Sequence, residues 1–252
     1  MEFDVHYLIE QWPALLDGVL MTLRITALAI LCSLLIGVLG GAVRVMKVPV
    51  LSQAVALYVE LIRNTPILVQ LFFIFYGLPA IGLGLSLFWS GVVCLSLWAG
   101  AYQIENIRGG LATVERGMRE ASLALSLKPV QYFALIAMPI AFRTSLPAML
   151  NTAISLLKNS SYLQAIGLAE LTFVAVDRIA TDFRAIEMFT AICVMYLALV
   201  VLLFTTLISA VLGVLATVKN RLLGWTIHAY VELFRSIPLI VNVFFIFFGA
   251  PM

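Results

Sequence analysis

The chain has 252 residues, of which 63% are hydrophobic and 11% charged, and its formal net charge is +2. A soluble domain of this length needs more charge to cover its surface, and strand-type alternation typical of a transmembrane barrel is absent. The composition therefore excludes a soluble globular protein. It predicts an all-α, polytopic transmembrane helical bundle, because about 20 apolar residues in a helix cross the hydrocarbon core.

The first half of the chain is predicted to hold an interfacial lead-in and three spans. Residues 1–17 resemble an amphipathic lead-in, with Trp12 suited to a membrane interface and acids where a cleavable signal peptide would be basic. The spans are expected at about residues 18–43, 55–78 and 85–107. The second is interrupted by three residues that are unusual inside a span: Glu60, Arg63 and Pro66.

The second half begins with the least hydrophobic stretch before mid-chain, residues 108–128. It continues with a fourth span, a polar loop, a fifth span and a last apolar stretch, at about 142–166, 177–184, 188–214 and 225–252. Lysine and arginine concentrate in alternate loops, and this bias marks the cytoplasmic side. We therefore expect the N-terminus to be extracytoplasmic.

Two segments of the chain repeat each other. Residues 58–80 and 230–252 align without gaps, and Glu60, Arg63 and Pro66 recur as Glu232, Arg235 and Pro238. Charged residues inside a membrane are costly, so a repeated pair indicates a repeated structural unit. We expect the second copy to cross the membrane outward, which places Met252 on the extracytoplasmic side.

A short segment near mid-chain, residues 120–139, is predicted to form a helix up to Leu127 and then a bend. Pro129 disfavours a helical conformation at Lys128, the residue before it. Such a helix either presents a contact to a partner protein or lies as an ordinary loop helix at the membrane interface.

This segment resembles the EAA loop of the permeases of ABC importers, whose pattern is E-A-A, three residues, G, nine residues, I-x-L-P. Glu120-Ala121-Ser122, Ser126 and Ile136–Pro139 fall at that spacing, with Ser122, Ser126 and Met138 in place of Ala, Gly and Leu. Three further segments are similar to the polar amino acid branch of the same family: 58–79, 101–110 and 155–171.

The resemblance implies a five-span type I permease core at residues 18–218, with the EAA loop at 108–141 and a sixth apolar segment at the C-terminus. Residues 219–252 are interpreted as a partial repeat of the second span. A fused, truncated or rearranged gene product, or a shortened form of a longer tandem chain, would all have this organisation.

The resemblance also implies a function: the pore subunit of an ATP-driven, binding-protein-dependent importer of polar amino acids, multi-pass in the bacterial inner (plasma) membrane. The implied partners are a cytoplasmic ABC ATPase, a second permease subunit (identical or paralogous), an extracytoplasmic substrate-binding protein and membrane lipid. The sequence has no GxxxxGK[ST] loop. We therefore expect ATP and Mg²⁺ to bind the ATPase, and we predict no cofactor, no nucleic acid and no enzymatic activity for this chain.

Three sets of residues are the candidates for this function. Those predicted to couple to the ATPase are Glu120, Ala121, Ser122, Ser126, Lys128 and Pro139. Those predicted to line the substrate pathway are Gln70, Asn151, Ser155, Lys158 and Asn159. A salt-bridge cluster near the inner gate is predicted from Glu60, Arg63 and Glu105, in which Glu60 and Arg63, three residues apart, could pair on one helix face.

Each set has a structural alternative. A carboxylate at a helix start also interacts favourably with the helix dipole, polar residues also join helices in a bundle, and a buried charge needs a partner whatever its function. At the level of the whole chain, the alternatives are a secondary transporter or channel and a truncated, non-transporting permease fragment.

Overall fold

The computed structural model describes residues 3–114 and 116–216, and every regular element within these ranges is helical. The chain divides into two compact units, residues 1–200 and 201–252, of which the second is described only through the end of the last helix. The helices, numbered in chain order, are α1 Val5–Val45, α2 Leu51–Asn64, α3 Ile67–Phe72, α4 Leu87–Ala112, α5 Arg116–Ala124, α6 Pro129–Tyr132, α7 Met138–Asn159, α8 Leu171–Asp182 and α9 Ala185–Ala216.

Several of these helices continue in a tighter or wider turn. A π-helical turn at Phe73–Gly77 and a 3₁₀ turn at Leu78–Ile81 follow α3. A π-helical turn at Phe133–Ala137 joins α6 to α7, and a 3₁₀ segment at Ser160–Ile166 follows α7. Four helical stretches are long and apolar enough to cross a membrane: Val5–Val45, Leu87–Ala112, Pro129–Ile166 and Ala185–Leu203. The bent pair Leu51–Asn64 and Ile67–Ile81 passes the same test when its two halves are taken together, which gives up to five spans, the number predicted for the permease core.

Helix α1 is longer than the predicted first span. Asp4 caps its N-terminus, because the Asp4 side chain accepts a hydrogen bond from the Tyr7 backbone N–H at 3.1 Å. The helix then runs without interruption through residue 17 to Val45. The predicted lead-in, residues 1–17, therefore continues directly into the first span from residue 5 onward.

Helix α4 lies at the centre of the first unit and packs against α1, α2, α3 and α7. Small residues allow α1 and α4 to approach closely: a Cβ at Gly37 would lie 2.5 Å from the Gln103 Cβ. Gly100 makes the reciprocal contact, since a Cβ there would lie 2.7 Å from Ile36. Such small-residue contacts replace the hydrophobic driving force that is missing between helices in lipid.

The second span is broken where the sequence places Pro66. Thr65 and Pro66 both adopt extended backbone conformations, and the helices on either side are bent by 110°. Proline has no N–H to continue the helix and disfavours a helical conformation in the preceding residue. The chain therefore changes direction at this point.

The predicted polar loop at residues 177–184 is wrong, because most of it belongs to helix α8. The first turn of α8 is fully capped: the Glu170 carboxylate accepts from the Thr172 and Phe173 N–H groups at 2.9 and 2.8 Å. The Leu171 N–H donates to Thr22 Oγ1 at 3.2 Å. Charge density alone predicted a loop, whereas these local caps stabilise a helix.

The predicted sixth span at 225–252, and with it the second copy of the repeat, lies outside the described residues. The domain boundary expected at residue 218 also lies outside them.

Candidate functional site

The Gln70 side chain hydrogen-bonds to the backbone at the break in the second span. Its side-chain Nε2 donates to the carbonyl oxygens of Ile62 and Thr65 at 2.8 and 3.0 Å, and contacts Thr65 Oγ1 at 2.8 Å. These carbonyls lose their helical partners where Pro66 ends α2. Gln70 was predicted to line a substrate pathway, and the structure places its amide nitrogen on the backbone of the bend.

The predicted cluster of charges forms around Glu105, near the end of α4 that leads to α5. Arg108 binds its carboxylate through Nε and Nη2, the latter at 2.6 Å from Oε2, and Arg63 Nη1 lies 3.9 Å from the same oxygen. The Arg63 guanidinium also lies over the Tyr102 ring, 5.1 Å from its centroid. Arg63 and Glu105 are thus brought together as predicted.

Glu60 does not join this cluster. It is exposed on α2 and forms no ion pair within residues 3–114 and 116–216. Arg63, three residues later, extends toward Glu105 of α4 instead. The expected pairing of Glu60 with Arg63 is therefore wrong, because Glu105 offers Arg63 a partner that is only 19% exposed.

Helix α7 carries an exposed polar face. Arg143, Asn151 and Lys158 are exposed at helical spacing, and Ser155 and Asn159 on the same side are half-buried. The exposed face of α1, by contrast, carries mainly leucines: Leu28, Leu31, Leu35 and Leu39. An apolar face suits lipid, whereas polar side chains in a membrane helix face a protein partner or a water-filled cavity. Four of the five predicted pathway residues lie on this face of α7.

A buried polar network joins α4 to α7 and was not predicted. Gln103 is 1% exposed and donates through Nε2 to the Met149 carbonyl oxygen at 3.3 Å. Asn106 Nδ2 donates to Gln103 Oε1 and to Thr152 Oγ1, at 3.1 and 3.0 Å. The spacing of Gln103 and Asn106, three residues apart, placed both on one face of α4 and was a signal for this network.

The loop predicted to bind an ATPase forms a short helix and a bend, but the helix ends three residues before Leu127, where the sequence predicted its end. Helix α5 ends at Ala124, and Ser126 follows with φ +55°, the left-handed conformation that glycine favours. The Leu127 N–H then donates to the Ser122 carbonyl oxygen at 3.0 Å. Ser126 thus makes the tight turn for which the family pattern has glycine.

The predicted coupling residues differ in their accessibility. Five are exposed: Glu120, Ala121, Ser126, Lys128 and Pro139. Ser122 is 2% exposed, and its hydroxyl donates to the Arg119 carbonyl oxygen at 2.7 Å. Apolar side chains are exposed beside the first group, among them Leu123 and Leu125 at 66% and 73%. The loop therefore presents a mixed charged and apolar surface.

At the opposite end of the bundle, Glu170 is a fully buried carboxylate. Besides the two N–H groups of α8, it accepts a hydrogen bond from the Tyr196 hydroxyl at 3.0 Å. Burial raises the pKa of Glu170 above its usual value, against the opposing effect of these hydrogen bonds. Glu170 thereby ties α8 to α9, and Thr22 ties α8 to α1.

No cluster of three or more metal-ligating side chains occurs in the part of the chain that the structure describes.

Residues 29–212 match the family described as the inner membrane component of binding-protein-dependent transport systems. The chain is 35% identical over 206 residues to a probable amino-acid ABC transporter permease protein, PatM, of Vibrio harveyi, covering 81% of this chain and 92% of that protein. It is 36% identical over 205 residues to the glutamine transport system permease protein GlnP of Escherichia coli K12, covering 81% and 94%.

Solved structures agree. The chain resembles a crystal structure of an amino acid ABC transporter with histidines, with a TM-score of 0.75 and 30% identity over 82% of this chain and 97% of that one. It shares its fold with an inward-facing MetNI methionine ABC transporter, with a TM-score of 0.70 and 22% identity over 81% and 98%. The chain therefore belongs to the inner-membrane permease components of binding-protein-dependent transport systems, and is a membrane-embedded pore subunit of an ABC importer without enzymatic activity of its own.

Proposed function

We propose that this chain forms the translocation pathway for polar amino acids in an importer driven by a separate ATPase. The observation that carries this proposal is the exposed polar face of α7, which carries Arg143, Asn151 and Lys158 within a helix long and apolar enough to cross a membrane. Relatives at 35–36% identity are named as permeases for amino acids and for glutamine. These names support a polar amino acid as the substrate class.

The α7 face suits a zwitterion. The Lys158 ammonium donates hydrogen bonds to a carboxylate, and the Asn151, Ser155 and Asn159 oxygens accept from an ammonium group. Gln70 contributes by fixing the bend of the second span, since its amide nitrogen is occupied by the Ile62 and Thr65 carbonyls.

The cluster of Arg63, Glu105 and Arg108 is proposed to act at the inner gate. It joins α2 to α4 through a single carboxylate, so a movement of α2 away from α4 breaks the Arg63–Glu105 contact while leaving Arg108 in place. Such a contact is weak enough to be broken and remade, because Arg63 is 42% exposed.

Coupling to the ATPase is assigned to the α5 loop. Glu120, Ala121, Lys128 and Pro139 are exposed and available to a partner, whereas Ser122 and Ser126 hold the shape of the loop. ATP and Mg²⁺ then bind the ATPase. A second permease subunit, identical or paralogous, completes the pore, and an extracytoplasmic binding protein delivers the amino acid.

The orientation follows from charge. Arg44, Lys47, Arg119 and Lys128 lie in or beside the connections between spans at one end of the bundle, which we place in the cytoplasm. The N-terminus and α8 are then extracytoplasmic, in the inner membrane of a bacterium.

The test is transport by the reconstituted complex. We would co-purify the permease with the ATPase encoded beside its gene, place the complex in liposomes with the cognate binding protein, and measure uptake of labelled glutamine and other polar amino acids. Wild type is expected to import in an ATP-dependent manner, and Glu120→Ala to lose at least about tenfold in uptake, as for loss of an interface hot spot.

Glu10→Ala is the matched control, because Glu10 is an exposed carboxylate on α1 at the opposite end of the bundle. It is expected to import like wild type. Failure of wild type to recruit the ATPase or to import any amino acid would reject the proposed function.

A further inference from the structure

Phe183 occupies an unusual position between α8 and α9. Its backbone adopts the left-handed conformation, with φ +58° and ψ +26°, and its side chain is 83% exposed. A bulky side chain is disfavoured in this conformation, and glycine or asparagine usually occupies it. Core packing offers no compensation here, since the ring contacts solvent or a partner. A strained and exposed aromatic residue suggests a function outside the fold itself.

The residues on both sides of Phe183 are fixed by side-chain contacts to α1 and α9. The Tyr7 hydroxyl donates to Asp182 Oδ2 at 2.6 Å. Arg184 forms ion pairs with Asp4 and Glu187, at 3.6 and 3.2 Å. We call residues 182–184 the outer corner. These contacts tether the outer corner to α1 and α9 on both sides of Phe183.

The charge around the outer corner favours a protein over a lipid surface. The exposed charges nearest in sequence include the carboxylates Asp177 and Asp182. The Arg184 side chain is 42% exposed, but its charge is paired with Asp4 and Glu187. Anionic lipid headgroups would be repelled by this surface. A protein with an apolar pocket rimmed by lysine or arginine would be attracted to it, and buried aromatic anchors of this kind dominate binding energy at protein interfaces.

We propose that Phe183 is the anchor by which this permease docks its extracytoplasmic binding protein, with Asp177 and Asp182 facing basic residues of that protein. This inference rests on the proposed function, because it requires the orientation that places α8 outside the cell. The family is described as dependent on a binding protein, so a soluble partner must reach this side of the membrane.

The experiment measures the affinity of the purified binding protein for the complete complex of permease and ATPase in nanodiscs. Phe183→Asn removes the ring but retains a residue that tolerates the left-handed conformation, so the corner keeps its shape. It is expected to weaken binding at least about tenfold. Phe183→Tyr retains the ring and is expected to bind within about threefold of wild type. Higher salt is expected to weaken wild-type binding, since the rim is charged.

Phe189→Ala is the matched control, because Phe189 is 54% exposed on α9 but lies outside the outer corner. It is expected to bind like wild type, and all variants are expected to keep the basal ATPase rate measured without the binding protein. Unchanged binding by Phe183→Asn overturns the inference, as does an equal loss in Phe189→Ala, which would indicate a general effect of lipid-facing aromatics. If wild type neither binds nor responds to the binding protein, the proposed function itself fails.

Discussion

Single residues decide the geometry of the site where the sequence departs from the family pattern or from the expected pairing. Ser126 adopts the conformation that glycine would adopt without strain, and Glu105 rather than Glu60 receives Arg63. Both features can be tested one side chain at a time.

Replacing Ser126 with glycine is expected to stabilise the α5 loop. The left-handed conformation costs a non-glycine residue about 1 kcal/mol, part of which is offset by the greater freedom of glycine in the unfolded chain. Thermal unfolding of the detergent-solubilised protein would show a small rise in Tm. Ser122→Gly, inside α5, is the control and should lower Tm, because it loses helix propensity and the hydrogen bond to Arg119. A fall in Tm for both variants would contradict the assignment of the turn.

Neutralising Glu105 is expected to destabilise the protein more than neutralising Glu60. Glu105→Gln leaves two guanidinium groups without their shared carboxylate and should lower the free energy of unfolding by about 1 kcal/mol. Glu60→Gln removes an exposed charge that has no ion pair among the described residues, and should change it by less than about 0.5 kcal/mol. Denaturant titration of both variants measures the difference, and equal losses would place Glu60 in the cluster after all.

At the scale of elements, the bundle depends on close helix contacts and on capped helix ends. Helices α1 and α4 meet through glycine, and α8 begins at a buried carboxylate that also contacts α9. The close contact depends on the volume of the side chains between α1 and α4, and the cap of α8 depends on the protonation of Glu170.

A methyl group at Gly37 is expected to separate α1 from α4. The added Cβ would lie 2.5 Å from the Gln103 Cβ and 3.2 Å from its carbonyl carbon, so Gly37→Ala should cost about 1–3 kcal/mol. Gly109→Ala is the matched control, because a Cβ at that helical position meets no atom within 4 Å. It should stabilise α4 by about 0.5–1 kcal/mol through helix propensity. Opposite shifts in Tm are the expected result, and a tolerated Gly37→Ala would refute the contact.

The cap of α8 is expected to make stability depend on pH. Burial raises the pKa of Glu170 above 4.5, so the folded protein holds this proton more tightly than the unfolded chain. The contribution of Glu170 to the free energy of unfolding is therefore greatest below the unfolded pKa. It falls as pH rises from about 4.5 to the folded pKa and is constant above it.

Glu170→Gln keeps the size of the side chain and removes the titration. The Tm of wild type relative to this variant should decrease as pH rises through that window, and should be measured from about pH 4 to pH 8. A difference that stays constant, or that grows with pH, would mean that Glu170 is not protonated more readily in the folded state.

At the scale of the whole molecule, the proposed orientation rests on the distribution of charge. The α5 loop and the outer corner lie at opposite ends of the five predicted spans, and cationic loops belong to the cytoplasm. In the proposed orientation, the ATPase and the binding protein would contact the permease on opposite sides of the membrane.

Cysteine accessibility measures the orientation directly. On a background with Cys32, Cys94 and Cys193 replaced by alanine, Ala180→Cys in α8 should react with a membrane-impermeant maleimide in intact cells. Leu125→Cys, exposed after α5, should react only when the membrane is opened. The same assay at Met252 tests the expected outward course of the last segment. Reversed labelling of the first two sites would reject the orientation and, with it, the docking role of Phe183.

The sequence by itself determined that the chain is helical and embedded in a membrane, because composition and the length of apolar runs depend on no tertiary contact. It also marked Pro66 as an interruption of the second span and predicted the bend after α5, since both arise from backbone preferences of residues adjacent in sequence. The family pattern in turn identified the loop and the class of transporter.

The side-chain contacts between residues distant in sequence are visible only in the tertiary structure. Arg63 pairs with Glu105 and not with Glu60 because α2 packs on α4, and the Gln70 side chain hydrogen-bonds to the backbone of the bend. Glu170 caps a helix where charge density predicted a loop, with Thr22 completing the cap from 149 residues away. The partner of a side chain depends on how the helices pack. The sequence indicates this packing only through the small residues that permit close contact between helices.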